Sequence, residues 1–203
     1  MVTLVIPTDA ASVKGPPQGQ WTYEDWETLP DDGNRYEVID GDLYMSAAPS
    51  YFHQWIIKRL YRFWGARVEE QGLAYADFAP IGVIMPGCEP VQPDFVVVLA
   101  SRAAIIQDRR IRGGPDLIVE VMSPGNPDYD TEVKLEAYAK AGVPEYAVID
   151  PSKRTLSHYT LEKPGKYSEP RVFKEGETVT FACLPTIPLE ISKLFADSPD
   201  TTL

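Results

Sequence analysis

The spacing of hydrophobic positions predicts two long helices in this chain of 203 residues. Within residues 51–72, the apolar residues Ile56, Leu60 and Trp64 recur every four positions, which is typical of one face of a helix. We expect this helix to end at Gly72, because glycine commonly terminates helices.

The second helix is predicted over about residues 130–141. Gly142 stands where a C-terminal cap is expected, and Pro144 follows where it cannot prolong the helix. Near the start of the chain, Thr22 is expected to cap a short helix within residues 22–29, whose first turn carries acidic residues that favour the helix dipole.

Nearly continuous apolar runs predict buried strands at residues 95–100 and 116–123. Strands of this kind are covered on both faces, as in α/β proteins. Residues 35–46 are expected to form a β-hairpin that turns at Asp40-Gly41, a dipeptide favoured where both central residues need positive φ. One further strand is predicted over residues 74–85.

The remaining pattern completes the predicted fold. Residues 145–151 predict another buried strand, and from Thr155 onward strand-like segments alternate with turn sequences. The order of elements predicts an α/β (α+β) fold, a mixed β-sheet flanked by helices with an N-terminal β-hairpin and a C-terminal antiparallel β extension. Residues 1–20 lack a sustained pattern and are expected to be a flexible N-terminal arm, which leaves residues 21–203 as a single domain.

Cysteine usage and hydropathy favour a cytoplasmic protein. The two cysteines, Cys88 and Cys183, lie far apart and fit neither a disulfide framework nor the spacing of a zinc site. The N-terminus lacks the features of a signal peptide, and no stretch approaches the roughly 20 apolar residues that span a bilayer. We therefore expect no membrane partner.

The net charge of −11 disfavours nucleic acid as a partner, because contacts to phosphates need clustered lysines and arginines. The basic residues are nevertheless grouped, once within the helix predicted over residues 51–72 and again in residues 102–112. Either group can face a phosphate backbone, or they can form a solvated helix face and a charged loop. Charge alone does not decide between these interpretations.

Two carboxylates stand out because they lie in or beside apolar strands. Glu120 has apolar near neighbours, and an ionised carboxylate there costs several kcal/mol unless it is protonated, paired or bound to a cation. Asp94 opens the strand at 95–100. If the two strands are neighbours, both carboxylates can meet and form a site for a hard cation, Mg²⁺ or Mn²⁺.

Each of these carboxylates also has a purely structural interpretation. Glu120 can form a buried salt bridge with an arginine or lysine, and Asp94 can be a strand-start residue fixed by Pro93. Asp116 is a rival for the metal, but it lies four residues before Glu120 on the same strand, roughly 13 Å away at about 3.3 Å per residue. We therefore interpret Asp116 as a strand-start residue.

Several segments resemble the signature of the Uma family of restriction endonucleases, within the PD-(D/E)XK superfamily. They are QPDFVVV, GGPDLIVEVMSPGN and YDTEVKLEAYAKAGVPEYAVIDP, and LPDDGNRYEVIDGDLYMSAAPSYFHQ resembles the family's opening. The resemblance covers about residues 22–160. It implies a restriction-endonuclease-like fold with a four-stranded mixed sheet flanked by helices, and Mg²⁺ as the ordinary cofactor. It also makes Asp94 the motif aspartate and Glu120 the acidic residue of the (D/E)XK element.

One position departs from this pattern, because Met122 stands where the lysine of the motif is expected. Members of the superfamily can carry this lysine on the following helix, where Lys134 lies. A cation there would stabilise the charge that develops at phosphorus. The alternative is that Lys134 is a surface residue, with Asp130 four residues away as an ion-pair partner.

Two further residues are candidates through the resemblance. In the family's pattern Glu37 lies near the site, where it can contact a metal or orient a water, or it can be a plain hairpin residue. His53 resembles a family histidine, and it can donate a hydrogen bond at the start of the helix or act as a general base.

The sequence thus predicts a metal-dependent endodeoxyribonuclease that hydrolyses phosphodiester bonds of DNA. The predicted catalytic residues are Asp94, Glu120, Lys134 and Glu37, of which Asp94 and Glu120 bind the metal. The alternative is a catalytically silent protein of the same fold that acts as a binding or assembly module, which the acidic net charge and Met122 motivate. A homodimer is expected, because nucleases that cut both strands often pair two sites by symmetry.

Overall fold

The computed structural model describes residues 6–7, 13–46, 48–107, 109–123 and 128–198. The strands in this part of the chain, in order, are β1 (Ile6–Pro7), β2 (Arg35–Ile39), β3 (Asp42–Ser46), β4 (Ala74–Phe78), β5 (Gly82–Met85), β6 (Cys88–Val91), β7 (Phe95–Leu99), β8 (Ile106–Gln107), β9 (Arg110–Arg112), β10 (Leu117–Val121), β11 (Glu145–Asp150), β12 (Thr155–Lys163), β13 (Lys166–Tyr167), β14 (Arg171–Lys174), β15 (Thr178–Val179) and β16 (Leu189–Glu190). The α-helices are α1 (Tyr23–Trp26), α2 (Tyr51–Leu60), α3 (Ala66–Glu70), α4 (Lys134–Ala141) and α5 (Ser192–Phe195). Tyr61–Gly65 and Tyr129–Val133 are π-helical, and Ala100–Ile105 forms a 3₁₀ helix.

The central sheet has the strand order β13-β12-β11-β10-β7-β4, with β14 also paired to β12. β10 and β11 are parallel, whereas β10 pairs with β7, and β7 with β4, in antiparallel fashion. The four strands β4, β7, β10 and β11 are the mixed sheet that the family resemblance implied. The predicted fold class is therefore confirmed.

Helices cover both faces of this sheet. Phe95 and Val97 of β7 belong to the core formed with the helix that contains Trp64, whereas Val96 and Val98 belong to the core formed with α4. Successive side chains of a strand point to opposite faces, so burial on both faces requires the nearly continuous apolar runs seen in the sequence.

The first long helix follows the prediction, with one irregularity. α2, the π-helical turn and α3 are continuous, and the chain leaves the helix at Gly72 with φ of 66°. The predicted inward face is buried, since Ile56, Leu60 and Trp64 have no exposed surface. The helix predicted over 130–141 likewise consists of Tyr129–Val133 and α4, and Gly142 ends it in the left-handed region.

The second sheet is built on the predicted hairpin. Its order is β1-β3-β2-β6-β5-β9-β8, and β2 and β3 turn at Asp40 and Gly41, whose φ angles are 49° and 81°. These positive values are what an Asp-Gly turn between two strands requires. Gly41 also lies close to the chain before α1, since a Cβ built on it would stand 2.6 Å from the carbonyl of Gly19.

The prediction of one strand over residues 74–85 is wrong. β4 belongs to the central sheet and β5 to the hairpin sheet, and the chain crosses between them at Ala79 and Pro80. Proline has no N–H to donate to a strand ladder, which explains why the pairing stops there. This crossing links the two sheets beside β7.

The C-terminal extension is antiparallel, as predicted. β12 pairs with β11, β13 and β14, and β15 pairs with β16. The sequence reasoning did not predict the short helix α5 that follows, whose Leu194 and Phe195 are buried in the core.

The arm predicted over residues 1–20 lies partly outside the described residues. Where it is described, Ile6 and Pro7 pair with β3, and the Gln18 side chain hydrogen-bonds the main chain of Leu43. The boundary of the domain stays a prediction. None of the helices in the described ranges is long and apolar enough to cross a membrane.

Candidate active site

Asp94 and Glu120 lie side by side because their strands are neighbours. Phe95 of β7 pairs with Val119 of β10, so the residue before β7 stands next to Glu120. The Asp94 N–H donates to Glu120 Oε2 over 3.2 Å, and the Val121 N–H donates to Asp94 Oδ2 over 2.9 Å. Both side chains are buried.

Lys134, the first residue of α4, extends its side chain to the same place. Its Nζ lies 2.9 Å from Oε1 of Glu120, 3.5 Å from Oδ1 of Asp130 and 3.7 Å from Oε2 of Glu37. The side chain has no exposed surface, so the alternative of a surface helix residue is wrong. An ammonium buried this completely requires several carboxylates around it.

Glu37 reaches this cluster from the other sheet. It lies on β2 and is buried, with Oε1 accepting a hydrogen bond from the Gln92 N–H over 2.6 Å. Its Oε2 accepts another from the Tyr129 hydroxyl over 3.0 Å. Glu37 is therefore an inward-facing residue of the hairpin, and the four sequence candidates Glu37, Asp94, Glu120 and Lys134 share one neighbourhood.

Two basic side chains that are not among these four candidates contact Asp94. Arg35 Nη1 lies 3.0 Å from Asp94 Oδ1, and His53 Nε2 lies 3.0 Å from Asp94 Oδ2. The hydroxyl of Ser50 caps α2 at the His53 N–H, which fixes this residue in the first turn. Sequence reasoning singled out His53 but missed Arg35, although residues 35 and 37 share one face of a strand.

The helix after β10 supplies two more contacts, of which the sequence indicated only the ion pair between Asp130 and Lys134. The Tyr138 hydroxyl donates to Glu120 Oε1 over 2.9 Å, and Asp130 pairs with Lys134 one helical turn away. Asp130, Lys134 and Tyr138 are spaced four residues apart, which puts them on one face of a helix. That spacing is the signal that could have identified the set.

Asp116, the rival carboxylate, takes part in a different interaction. Its Oδ1 lies 2.8 Å from Arg102 Nη1, and its Oδ2 accepts a hydrogen bond from the Leu99 N–H over 2.8 Å. The pair ties the start of β10 to the end of β7. Asp116 is thus a structural residue directly before its strand.

The model of the Uma2 family, described as "Putative restriction endonuclease", matches residues 22–192. The chain belongs to this family. The match confirms the resemblance of the sequence segments and extends beyond them into the C-terminal β extension.

The fold of this Uma2 chain is shared with a solved structure. A crystal structure from Anabaena variabilis ATCC 29413, described as a putative nuclease belonging to DUF820, aligns with a TM-score of 0.72 over 86% of this chain and 97% of that one. The two sequences are 22% identical, so this likeness concerns the fold alone. No curated protein matches the chain.

The site of this Uma2 chain carries more carboxylates than cations. Glu37, Asp94, Glu120 and Asp130 stand against the permanent charges of Arg35 and Lys134. Burial is the largest influence on the pKa of Glu120 and raises this pKa. The charge of Lys134 lowers the pKa, whereas the neighbouring carboxylates raise it further. The pKa of Glu120 therefore lies well above its ordinary value. Burial likewise raises the pKa of Asp130 to about 6.

Asp94 differs from these carboxylates because two basic residues touch it directly. Burial raises its pKa, but the charges of His53 and Arg35 and the hydrogen bond from His53 outweigh burial, and the pKa lies well below the ordinary value. Asp94 is therefore ionised at neutral pH.

The donor set of this Uma2 site fits a divalent cation whose coordination shell is completed by other oxygens. In the described part of the chain, no group of three or more His, Cys, Asp or Glu side chains is arranged to hold an ion. Mg²⁺ needs no such cage, because proteins commonly bind it through one or two carboxylates together with water and substrate phosphates. Asp94 and Glu120 are two adjacent carboxylates, of which Asp94 is ionised.

Proposed function

We propose that this chain is a metal-dependent endonuclease that hydrolyses phosphodiester bonds of DNA, with Mg²⁺ or Mn²⁺ as its cofactor. The observation that carries the proposal is the convergence of Asp94 and Glu120 with the buried ammonium of Lys134. Family membership and the nuclease description of the structural neighbour support it.

Asp94 and Glu120 would hold the metal. When bound, the ion polarises the phosphate and lowers the pKa of a coordinated water. Arg35 and His53 each contact one Asp94 oxygen and keep this carboxylate ionised and oriented. Glu37 accepts a hydrogen bond from the Gln92 N–H, two residues before Asp94. It would thereby position the segment before β7 that carries Asp94.

Lys134 would stabilise the negative charge that develops at phosphorus. Burial, the largest influence, lowers its pKa, but Glu120, Glu37 and Asp130 together outweigh burial and leave the pKa above its ordinary value. The group therefore remains an ammonium at neutral pH. It takes the place of the motif lysine that Met122 replaces.

The test is cleavage of a supercoiled plasmid with and without Mg²⁺. We expect the wild-type chain to nick the plasmid only with the metal, and Asp94→Asn or Glu120→Gln to abolish this activity. Asp116→Asn is the matched control, because it removes another buried carboxylate charge beside β10 that contacts Arg102 instead of the site. Asp94 and Glu120 variants that nick as fast as wild type would refute the assignment.

A second candidate function is a catalytically silent binding or assembly module. Both Asp94 oxygens already contact basic side chains, and the net charge of −11 opposes DNA. Calorimetric titration with Mg²⁺ or Mn²⁺ separates the two functions. Saturable heat that disappears in Asp94→Asn supports the nuclease, whereas no site-specific heat supports the silent module.

We further propose a cytoplasmic homodimer. Both cysteines are free thiols, in keeping with a reducing compartment. Cleavage of both strands of a duplex is most simply achieved by two sites related by symmetry. Light scattering of the purified chain tests the dimer directly, and a monomer at all concentrations would contradict it.

A further inference from the structure

A groove of about 530 Å³ lies beside the site, between the crossing from β4 to β5 and the β8–β9 hairpin. Its volume is in the range of roughly 300–1,000 Å³ that is usual for binding pockets. None of the four predicted catalytic residues lines it. The groove therefore has no role in the nuclease chemistry proposed above.

Flat and apolar side chains line much of this groove. Phe78 and Ile106 are 42% and 39% exposed, which is high for large hydrophobic residues, and Trp26 lines the same space. Trp26 is fixed by a hydrogen bond from its Nε1 to the Tyr36 carbonyl over 2.8 Å. Phe78 is the aromatic ring that is open to solvent, which suits it to stacking against another flat group.

Two arginines, Arg109 and Arg110, also line the groove. Arg109 is exposed, and Arg110 is held over the Trp26 ring at 5.0 Å with Glu27 as an ion-pair partner at 3.7 Å. Asp77 also lines the groove and contributes the opposite charge. Arg109 and Arg110 also line a neighbouring pocket with Arg112, so positive charge continues past the groove.

The groove lies next to the candidate active site in the fold, as two hydrogen bonds of the main chain show. Gln92 lines the groove, and its N–H donates to Glu37 Oε1 over 2.6 Å. Ala79 lies between Phe78 and Pro80, which both line the groove, and its N–H donates to the Asp94 carbonyl over 3.2 Å. A strand bound in the groove would therefore lie within a few residues of the segment that carries Asp94.

We infer that this groove, called here the strand groove, binds an unpaired stretch of DNA next to the scissile phosphate. The inference rests on the proposed function and narrows the substrate to DNA with a single-stranded segment. Aromatic surfaces combined with arginines are the usual means of binding single strands without sequence preference. In a duplex the base faces are stacked on each other and unavailable to Phe78.

The strand groove also explains how a chain of net charge −11 can bind DNA. Stacking supplies affinity that does not depend on the total charge, whereas duplex binding rests mostly on phosphate contacts. Arg109, which is exposed, then needs to contact only the phosphates of a short segment.

The experiment measures fluorescence anisotropy of a labelled 12-nucleotide strand and of the same sequence as a duplex, in EDTA so that no metal-dependent cleavage occurs. We expect the single strand to bind more tightly. Phe78→Ala should weaken single-strand binding about tenfold or more, from the loss of one stacked base. Arg109→Glu should weaken it as well and reduce its dependence on salt.

Matched controls lie on β14, outside the strand groove. Val172→Ala removes another exposed apolar residue and Arg171→Glu reverses another exposed arginine, and both should bind the strand like wild type. Equal or tighter binding of the duplex, or unchanged single-strand binding by Phe78→Ala, would overturn the inference.

The binding and cleavage assays distinguish failure of this inference from failure of the proposed function. Suppose that the chain cleaves DNA with metal, that Asp94→Asn abolishes this cleavage, and that single-stranded and duplex DNA bind equally. That result would refute binding in the strand groove and support the nuclease function. Suppose instead that single-stranded DNA binds in a way that depends on Phe78, but that no metal supports cleavage. That result would refute the nuclease function and support the strand groove as a binding site.

Discussion

The ammonium of Lys134 lies 2.9 Å from Oε1 of Glu120, and neither side chain has any exposed surface. The two residues come from consecutive elements, β10 and the helix after it. Their ion pair connects α4 to the central sheet. The stability of the chain and the candidate chemistry therefore depend on the same pair.

Lys134→Met should lower the free energy of unfolding by about 3–5 kcal/mol, because it leaves buried carboxylates without their cation. Urea denaturation measures this change. Lys140→Met is the control, since Lys140 lies on the same helix with its side chain half-exposed, and its ion pairs should be worth less than about 1 kcal/mol.

Adding Glu120→Gln to Lys134→Met tests the cause of that loss. The double variant should be more stable than Lys134→Met alone, because it removes one of the carboxylate charges that lost its partner. Additive losses of stability would mean that the two side chains do not interact in solution.

His53→Ala should weaken binding of Mn²⁺ by about 10- to 100-fold, because partners that orient a metal ligand commonly contribute that much. His53 acts through Asp94 Oδ2 and is a positioning residue. Calorimetric titration measures the affinity. Tyr51→Ala, at the exposed start of the same helix, should bind the ion like wild type.

Glu145 should make the chain sensitive to acid. Burial, the largest influence, raises the pKa of Glu145, but hydrogen bonds from His158, Cys183 and Ala182 outweigh burial and bring the pKa below its ordinary value of 4.5. The unfolded chain then binds the proton more readily, so this contribution is present above about pH 4.5 and is lost as the pH falls through the folded pKa.

The measurement is the free energy of unfolding of Glu145→Gln and wild type between pH 7 and pH 3. The variant should be less stable at pH 7, and the difference should shrink as the pH falls below about 4.5. A difference that stays constant with pH would show that the carboxylate charge contributes nothing.

Alanine substitutions at two glycines distinguish the cost of backbone strain from the cost of steric crowding. Gly41 and Gly142 have φ of 81° and 82°, so alanine at either position costs roughly 1–2 kcal/mol from the left-handed conformation. A Cβ at Gly41 would also meet the Gly19 carbonyl at 2.6 Å, whereas a Cβ at Gly142 meets nothing within 4 Å. Thermal denaturation should therefore find Gly41→Ala the less stable variant, and equal melting temperatures would contradict the close approach.

The sequence predicted the elements of this fold well where the pattern is local. The apolar face of α2, the turn at Asp40 and Gly41, and the buried runs of β7 and β10 each follow from neighbouring residues. The division of residues 74–85 between two sheets does not, because it depends on which strands are neighbours in space. Pro80 was the local sign of that break.

The candidate site shows the same limit. Glu120 and Asp94 are conspicuous because a carboxylate beside an apolar run needs a partner. Arg35 has no such context, since its contact to Asp94 joins the hairpin sheet to the central sheet. The burial of Lys134 likewise follows from packing between α4 and β10, although its spacing from Asp130 and Tyr138 indicated a shared helix face.

The assembly of the site from both sheets governs when a growing chain acquires its chemistry. Glu37 and Asp94 are synthesised before β10, but the cluster stays without its ammonium until Lys134 has left the ribosome and α4 has docked. In a shorter nascent chain Arg35 and His53 can pair with Asp94, but Glu37 and Glu120 lack the ammonium that faces them in the complete site. On the function proposed above, unfinished copies therefore lack the group that would stabilise charge at phosphorus.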